Sequence, residues 1–198
     1  MDNTAKQLQL KIEKEKGTEK QRIDKTIFDT HTEELIIGLC GPIGTDIHFV
    51  TDNLTNVLTE KFNYKCKVIK LSKLIKEHFN IDSTVNVETF KDYESLINKG
   101  NELRKKYGNN ILASLAINEI AVNRERYREN DDFVSERVCY IIDSIKHKEE
   151  LDLFRLIYSD IFYFFGVFSP INLRVENLKN EKGLKLEEIH KLIDRDSG

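Results

Sequence analysis

Apolar positions along the chain recur in two different ways. Leu35-Ile36-Ile37-Gly38-Leu39-Cys40, Val68-Ile69-Lys70-Leu71, Val138-Cys139-Tyr140-Ile141-Ile142 and the run from Ile161 to Phe168 are short apolar stretches, as expected of strands, the first and third of them buried. Between them the spacing is helical. Val50, Leu54, Val57, Leu58 and Phe62 predict a helix over 46–62, and Leu74, Ile75 and Phe79 predict another behind Ser72 as N-cap. Residues 87–128 read as two helical pieces broken near Gly108-Asn109-Asn110. Leu151, Leu153, Phe154, Leu156 and Ile157 mark a further helix. Pro170 opens the next one, Asn180 to Gly183 breaks it, and a short helix over 184–194 follows. Strands alternating with helices predict an α/β domain over 33–198, a three-layer, mostly parallel sheet of four to five strands flanked by helices. Residues 1–32 show only weak helical spacing (Leu8, Leu10, Ile12) and read as a polar, loosely ordered arm, a solvated tail in preference to a partner-binding one.

Composition narrows the function classes. The 198 residues carry 31 Lys+Arg against 34 Asp+Glu, a formal net charge of −3, which gives no reason to expect a general nucleic-acid binder. No run of about 18 apolar residues offers a membrane span, and the first residues lack the apolar segment of a secretory signal. Three cysteines, Cys40, Cys66 and Cys139, each sit in an apolar setting, and no CxxC pair is present. They are expected to be buried, reduced thiols in a cytoplasmic protein rather than ligands of a structural zinc.

Of the nine glycines, three fall close together with one of the two prolines: Gly38, Gly41, Pro42 and Gly44. A glycine-rich turn between a buried strand and a helix N-terminus is a phosphate-binding geometry, because backbone N–H groups converge there at the positive end of the helix dipole. The candidate nucleotide-binding residues are therefore Gly38, Gly41, Pro42, Ile43, Gly44, Thr45 and Asp46, in a fold of the P-loop kinase-like kind. Against the motif GxxxxGK[ST], Asp46 replaces the last glycine, Ile47 the lysine and His48 the hydroxyl residue. Ile47 offers no charge-assisted hydrogen bond, each worth ~1.5–3 kcal/mol, and His48 is a poor magnesium ligand. Two readings stay open: a turn kept for folding with Asp46 capping the helix, and a loop that binds or senses nucleotide without efficient phosphoryl transfer. Asp143, ending an apolar strand, has the Walker B form of an aspartate that supports magnesium. Arg104, Arg124, Arg126, Arg174 and Arg195 are candidate phosphate or lid groups, and Lys70, Lys73 and Lys99 are candidates to replace the missing lysine. His31-Thr32-Glu33 spells HxE, but no PCxxC follows, and its place in the arm makes it chance.

Taken in order, ELIIGLCGPIGTD, VIKLSKLIKE, KGNELRKKYGNNILASLAI, VCYIIDSIKHKEELDLFRLIYSD and FFGVFSPINLRVENL resemble the N-terminal domain of the deoxycytidylate deaminase-like proteins of anti-phage defence, the anti-phage dCTP deaminases. The resemblance runs from Glu33 to the C-terminus. It implies a P-loop kinase-like domain, often lysine-less, that precedes a zinc-dependent deaminase domain in a protein depleting dCTP or dCMP. Gly38, Gly41 and Gly44 match the loop, Asp143 the strand-end aspartate, and Arg195-Asp196 the start of a lid-like segment that continues into a final strand. The zinc motif is absent, so the resemblance makes this chain an N-terminal piece, not itself catalytic, that binds a dNTP or an ATP-like nucleotide. Magnesium would accompany the nucleotide, and zinc would belong to the deaminase domain only. That domain, a homo-oligomer and a regulatory RNA are the partners considered. A small P-loop kinase of a nucleoside or nucleotide is the alternative function, and a binding module using Arg124, Arg126 and Arg128 is a third.

Overall fold

A computed structural model describes residues 33–197, apart from 84–86, 88, 126–127, 130–131 and 134–136. The expected N-terminal arm, and His31 and Thr32 of the HxE sequence, lie outside the described residues. In chain order the elements are β1 (Glu34–Cys40), α1 (Ile47–Phe62), β2 (Lys65–Lys70), α2 (Leu71–His78), α3 (Phe90–Tyr107), α4 (Ile111–Glu125), β3 (Arg128–Glu129), β4 (Asp132–Phe133), β5 (Val138–Asp143), α5 (Lys148–Tyr158), β6 (Phe162–Gly166), α6 (Ile171–Lys182) and α7 (Leu186–Ser197).

The sheet order is β2-β5-β1-β6, and every pairing in it is parallel. Parallel neighbours require crossover connections, and the right-handed rule decides which face each one covers. The β1-to-β2 connection runs one way past β5, and the β5-to-β6 connection runs the other way past β1. Right-handed turns in opposite directions put α1 and α5 on opposite faces, so both faces of the sheet are covered. The apolar alternation follows. Ile37, Leu39, Cys139 and Ile141 face α1, with Leu54, Leu58 and Tyr64. Ile36, Val138, Tyr140 and Ile142 face the other way, against Leu74, Leu103, Leu112, Ala116, Ile120 and Phe154. Each fully buried aliphatic or aromatic side chain contributes about 1.5–3 kcal/mol by leaving water. A third cluster, Leu178, Leu184, Ile189, Leu192 and Ile193, joins α6 and α7 to Phe90, Tyr93 and Ile97 of α3 and to Ile43. This is the three-layer α/β architecture expected from the sequence, consistent with a P-loop-like fold.

Several boundaries differ from the expectation. Leu71 opens α2 rather than ending β2, and Lys70, not Ser72, occupies the N-cap position, without a side-chain bond. The helix expected to reach 128 stops at Glu125, and a short antiparallel pair, β3 with β4, follows. The strand expected over 161–168 keeps only its centre, since Ile161 belongs to a 3₁₀ turn. The last helix starts two residues later because Gly183 caps α6 in the left-handed conformation and Lys185 N–H donates to Glu188 at 2.9 Å. Among the described residues the main sheet has four strands, with β6 at one edge exposing Tyr163 and Phe165. None of the described helices is long and apolar enough to cross a membrane.

Cys139 is buried, whereas Cys40 and Cys66 are only partly covered, because β2 is an edge strand and Cys40 lies at the end of β1. All three are free. Burial raises the Cys66 and Cys139 thiols, and it pushes the Tyr158 hydroxyl up to about 12. These groups are held neutral in the fold, while the unfolded chain ionises at the ordinary values of 9.0 for a thiol and 10.0 for a tyrosine. Their contribution is complete below those values and is lost as pH rises toward the folded-state ones. Urea midpoints should therefore fall progressively above about pH 9, and Tyr158→Phe should flatten the part of the fall above about pH 10. An identical alkaline fall in the phenylalanine variant would refute the assignment.

Candidate functional site

Ligand crevices of open parallel sheets lie beyond the carboxyl strand ends, where neighbouring connections diverge. Here that place is between β1 and β5. The 41–46 loop leaves β1, and Asp143 ends β5 in register with Leu39. The loop begins where Val167 N–H donates to the Cys40 carbonyl at 2.7 Å, and it closes a turn with Thr45 N–H on the Pro42 carbonyl at 3.0 Å. Gly44 has φ +82°, and a Cβ there would stand 2.7 Å from the Arg174 carbonyl, so only glycine lets α6 lie this close. Asp46 caps α1, its Oδ1 accepting Phe49 N–H at 2.9 Å. Ile47 enters the α1-side core at 8% exposure, beneath the loop rather than in it. His48 Nδ1 stands 3.4 Å from Asp143 Oδ2, so the residue in the hydroxyl position of the motif faces the strand-end aspartate.

Gly38 is not in the loop. It sits inside β1, where a Cβ would be 2.7 Å from Ile145 Cδ1 and 3.0 Å from the Phe162 ring, so its smallness serves packing. Gly41, Pro42, Ile43, Gly44, Thr45 and Asp46 do form the turn, with Asp143 beside it.

Arg104 and Arg195 are engaged elsewhere. The Arg104 guanidinium gives Glu150 Oε1 two hydrogen bonds, at 3.1 and 2.9 Å. Arg195 contacts Asn98 and stands 3.5 Å from Glu94 on α3. Arg124 pairs with Glu34, and its guanidinium lies over the Tyr158 ring. The side chains of Arg126 and Arg128 lie outside the described residues. Arg174 reaches the loop, its Nε donating to the Ile43 carbonyl at 2.7 Å.

The lysine at the loop is one the motif reading missed. Lys73 pairs with Glu77, and Lys99 lies over the Phe79 ring. Lys70 ends β2, exposed, in register with Asp143. Lys146, in the turn after β5, donates to the Gly41 carbonyl and to Asp196 Oδ1, both at 2.9 Å. Its place three residues beyond the strand-end aspartate was visible in the sequence. Its relevance depended on β5 lying next to β1. The Lys146 turn is held by Glu150, a fully buried carboxylate. Glu150 Oε2 accepts the N–H groups of Lys146 (2.9 Å) and His147 (3.2 Å), while Oε1 takes Arg104.

Among the described residues no group of three or more His, Cys, Asp and Glu could hold a metal ion. No family model matches the chain, and no curated protein matches it.

Glu150→Ala leaves Arg104 without its carboxylate in a site where that side chain is 11% exposed. Breaking a buried pair from one side costs about 3–5 kcal/mol, so the urea midpoint should drop sharply. Arg104→Met with Glu150→Leu should recover the part of the loss that comes from the orphaned arginine, while the Lys146 and His147 N–H groups stay without their carboxylate. Failure of that double variant to exceed Glu150→Ala would argue against the pair as the cause.

Proposed function

We propose that the chain is a nucleotide-binding regulatory or scaffold domain with a degenerate phosphate loop, related in role to the N-terminal part of the anti-phage dCTP deaminases that the sequence resembles. The observation that carries this reading is the loop's position. A glycine-dependent turn lies between a buried parallel strand and a helix N-terminus, at the carboxyl edge of the sheet and beside an aspartate that ends the neighbouring strand. Backbone N–H groups and a helix dipole favour an anion there. The same residues argue against phosphoryl transfer by the loop itself, because Ile47 is buried in the core and Asp46 is spent on capping.

Magnesium arriving with a nucleotide would be held by the strand-end carboxylate of Asp143, while His48 beside it offers nitrogen where the ion prefers oxygen. The ion would neutralise phosphate charge. Asp143 would orient it, and the loop would bind the nucleotide. In the family that the sequence resembles, a deaminase domain would receive the signal of occupancy.

Calorimetric titration of the full chain with dCTP, the other dNTPs and ATP should give binding without ADP release. No binding of any of them at millimolar concentration would sink the reading. Ile47→Lys, which restores the motif on paper, should not create turnover. It buries an uncompensated charge and should lose about 3 kcal/mol or more of stability. Nucleotide-dependent ADP release by that variant would favour a kinase instead.

A further inference from the structure

The loop of this chain already holds an anion. The Ile43 N–H donates to Asp196 Oδ2 at 2.5 Å, and Asp196 Oδ1 takes the Lys146 ammonium at 2.9 Å. Asp196 comes from the last turn of α7, 153 residues away in sequence. Its carboxylate is therefore held by one loop amide and one cation, the two kinds of group with which a phosphate loop holds a phosphate oxygen. A second observation points to a larger ligand than a carboxylate. Arg174 is 9% exposed, its Nε is spent on the Ile43 carbonyl, and its buried Nη2 has no hydrogen-bond partner. In a planar guanidinium, Nε and Nη2 lie along one edge, so the open donor faces the loop side. The Thr45 hydroxyl, in the same turn, is also buried and without a partner. Unpaired buried donors of this kind are uncommon in folded proteins and call for an explanation.

We propose that Asp196 is an internal stand-in for a phosphate group, and that a di- or triphosphate moiety binds the loop by displacing the end of α7 and taking over Lys146, the Ile43 N–H and Arg174. This rests on the nucleotide-binding reading and deepens it. It names Lys146, delivered from β5, as the cation that position 47 lacks, and it couples occupancy to the α7 end. That end also carries Arg195, which holds α7 to Asn98 and Glu94 of α3, so displacing Asp196 loosens one end of the α3–α6–α7 cluster. Binding at the loop thereby becomes a change in the position of the C-terminal helix. A ligand can shift this equilibrium only by its differential affinity for the two arrangements, and the competing carboxylate sets that difference.

Inorganic pyrophosphate is the probe for the seat, and dCTP and ATP are the probes for the nucleotide. Calorimetry on the full chain should find pyrophosphate tightened at least tenfold by Asp196→Ala, which empties the seat. A smaller gain is expected in Asp196→Asn, whose amide oxygen can still accept the Ile43 N–H but cannot pair with Lys146. Lys146→Met should weaken binding at least tenfold in the wild-type and Asp196→Ala backgrounds alike. Circular dichroism and urea midpoints check that each variant is folded. Hydrogen exchange of the wild-type chain should show faster exchange in the last turn of α7 when pyrophosphate is added. Unchanged or weaker pyrophosphate binding in Asp196→Ala overturns the proposal, as does Lys146→Met with unaltered affinity. The two readings fail separately. Nucleotide binding indifferent to both substitutions sinks the seat and leaves the nucleotide reading standing. Pyrophosphate binding tightened by Asp196→Ala, with no response to any nucleotide, does the reverse. Binding of neither probe by any variant sinks both.

Discussion

The Glu150 carboxylate is the contact on which the carboxyl edge of the sheet depends. It is fully buried, and such a group is tolerated only when its lone pairs are filled by good donors. Here two donors come from the Arg104 guanidinium on α3 and two from the backbone of the turn after β5. One side chain on α5 therefore fixes α3, α5 and the Lys146 turn relative to one another. With that turn fixed, the Lys146 ammonium reaches across to the Gly41 carbonyl at the start of the glycine-rich loop. Removing the carboxylate would free the turn as well as orphan the arginine, which is why a residue remote from the loop governs its electrostatics.

Around the loop, packing and polarity are shared between separate parts of the chain. Gly44 lets the α6 backbone come into contact, and α6 in return supplies Arg174 to the Ile43 carbonyl and Asn177 to the Gly44 carbonyl. The Ile43 and Gly44 carbonyls are thus satisfied by side chains from more than 130 positions downstream, while the Ile43 N–H is given to α7. The cluster of Leu178, Leu184, Ile189 and Leu192 holds α6 and α7 in place over α3. The proposed coupling between phosphate and the α7 end follows from this arrangement, because one amide cannot donate fully to two anions.

The strands and most helices were legible because a strand buried on both faces must be continuously apolar and a half-buried helix must repeat near 3.6 residues. Leu35–Cys40, Val138–Asp143 and the helix around Val50, Leu54 and Leu58 obeyed those rules without interference. The errors fall where local chemistry overrides the period. Leu71 is apolar enough to extend β2, yet the chain turns directly into α2, so a buried residue at a helix start read as a strand end. Ile161 lies in a 3₁₀ turn packed against the core, and Phe168 lies beyond β6, largely exposed. The glycine cluster announced the loop, but Gly38 belongs to the strand, where a close approach by Ile145 and Phe162 requires it.

By itself the sequence determined the alternating elements, the glycine-rich turn after β1, the strand-end Asp143 and an isoleucine at position 47, since all of these are local in chain order. Only the tertiary structure decided which charges meet at the loop. Arg104 and Arg195 turned to Glu150 and Glu94, whereas Lys146, Arg174 and Asp196 converged on the turn. The reason is physical. A long charged side chain has several partners within reach, and the choice among them follows from which strands are neighbours and which donors are desolvated together. Neither is set by spacing along the chain.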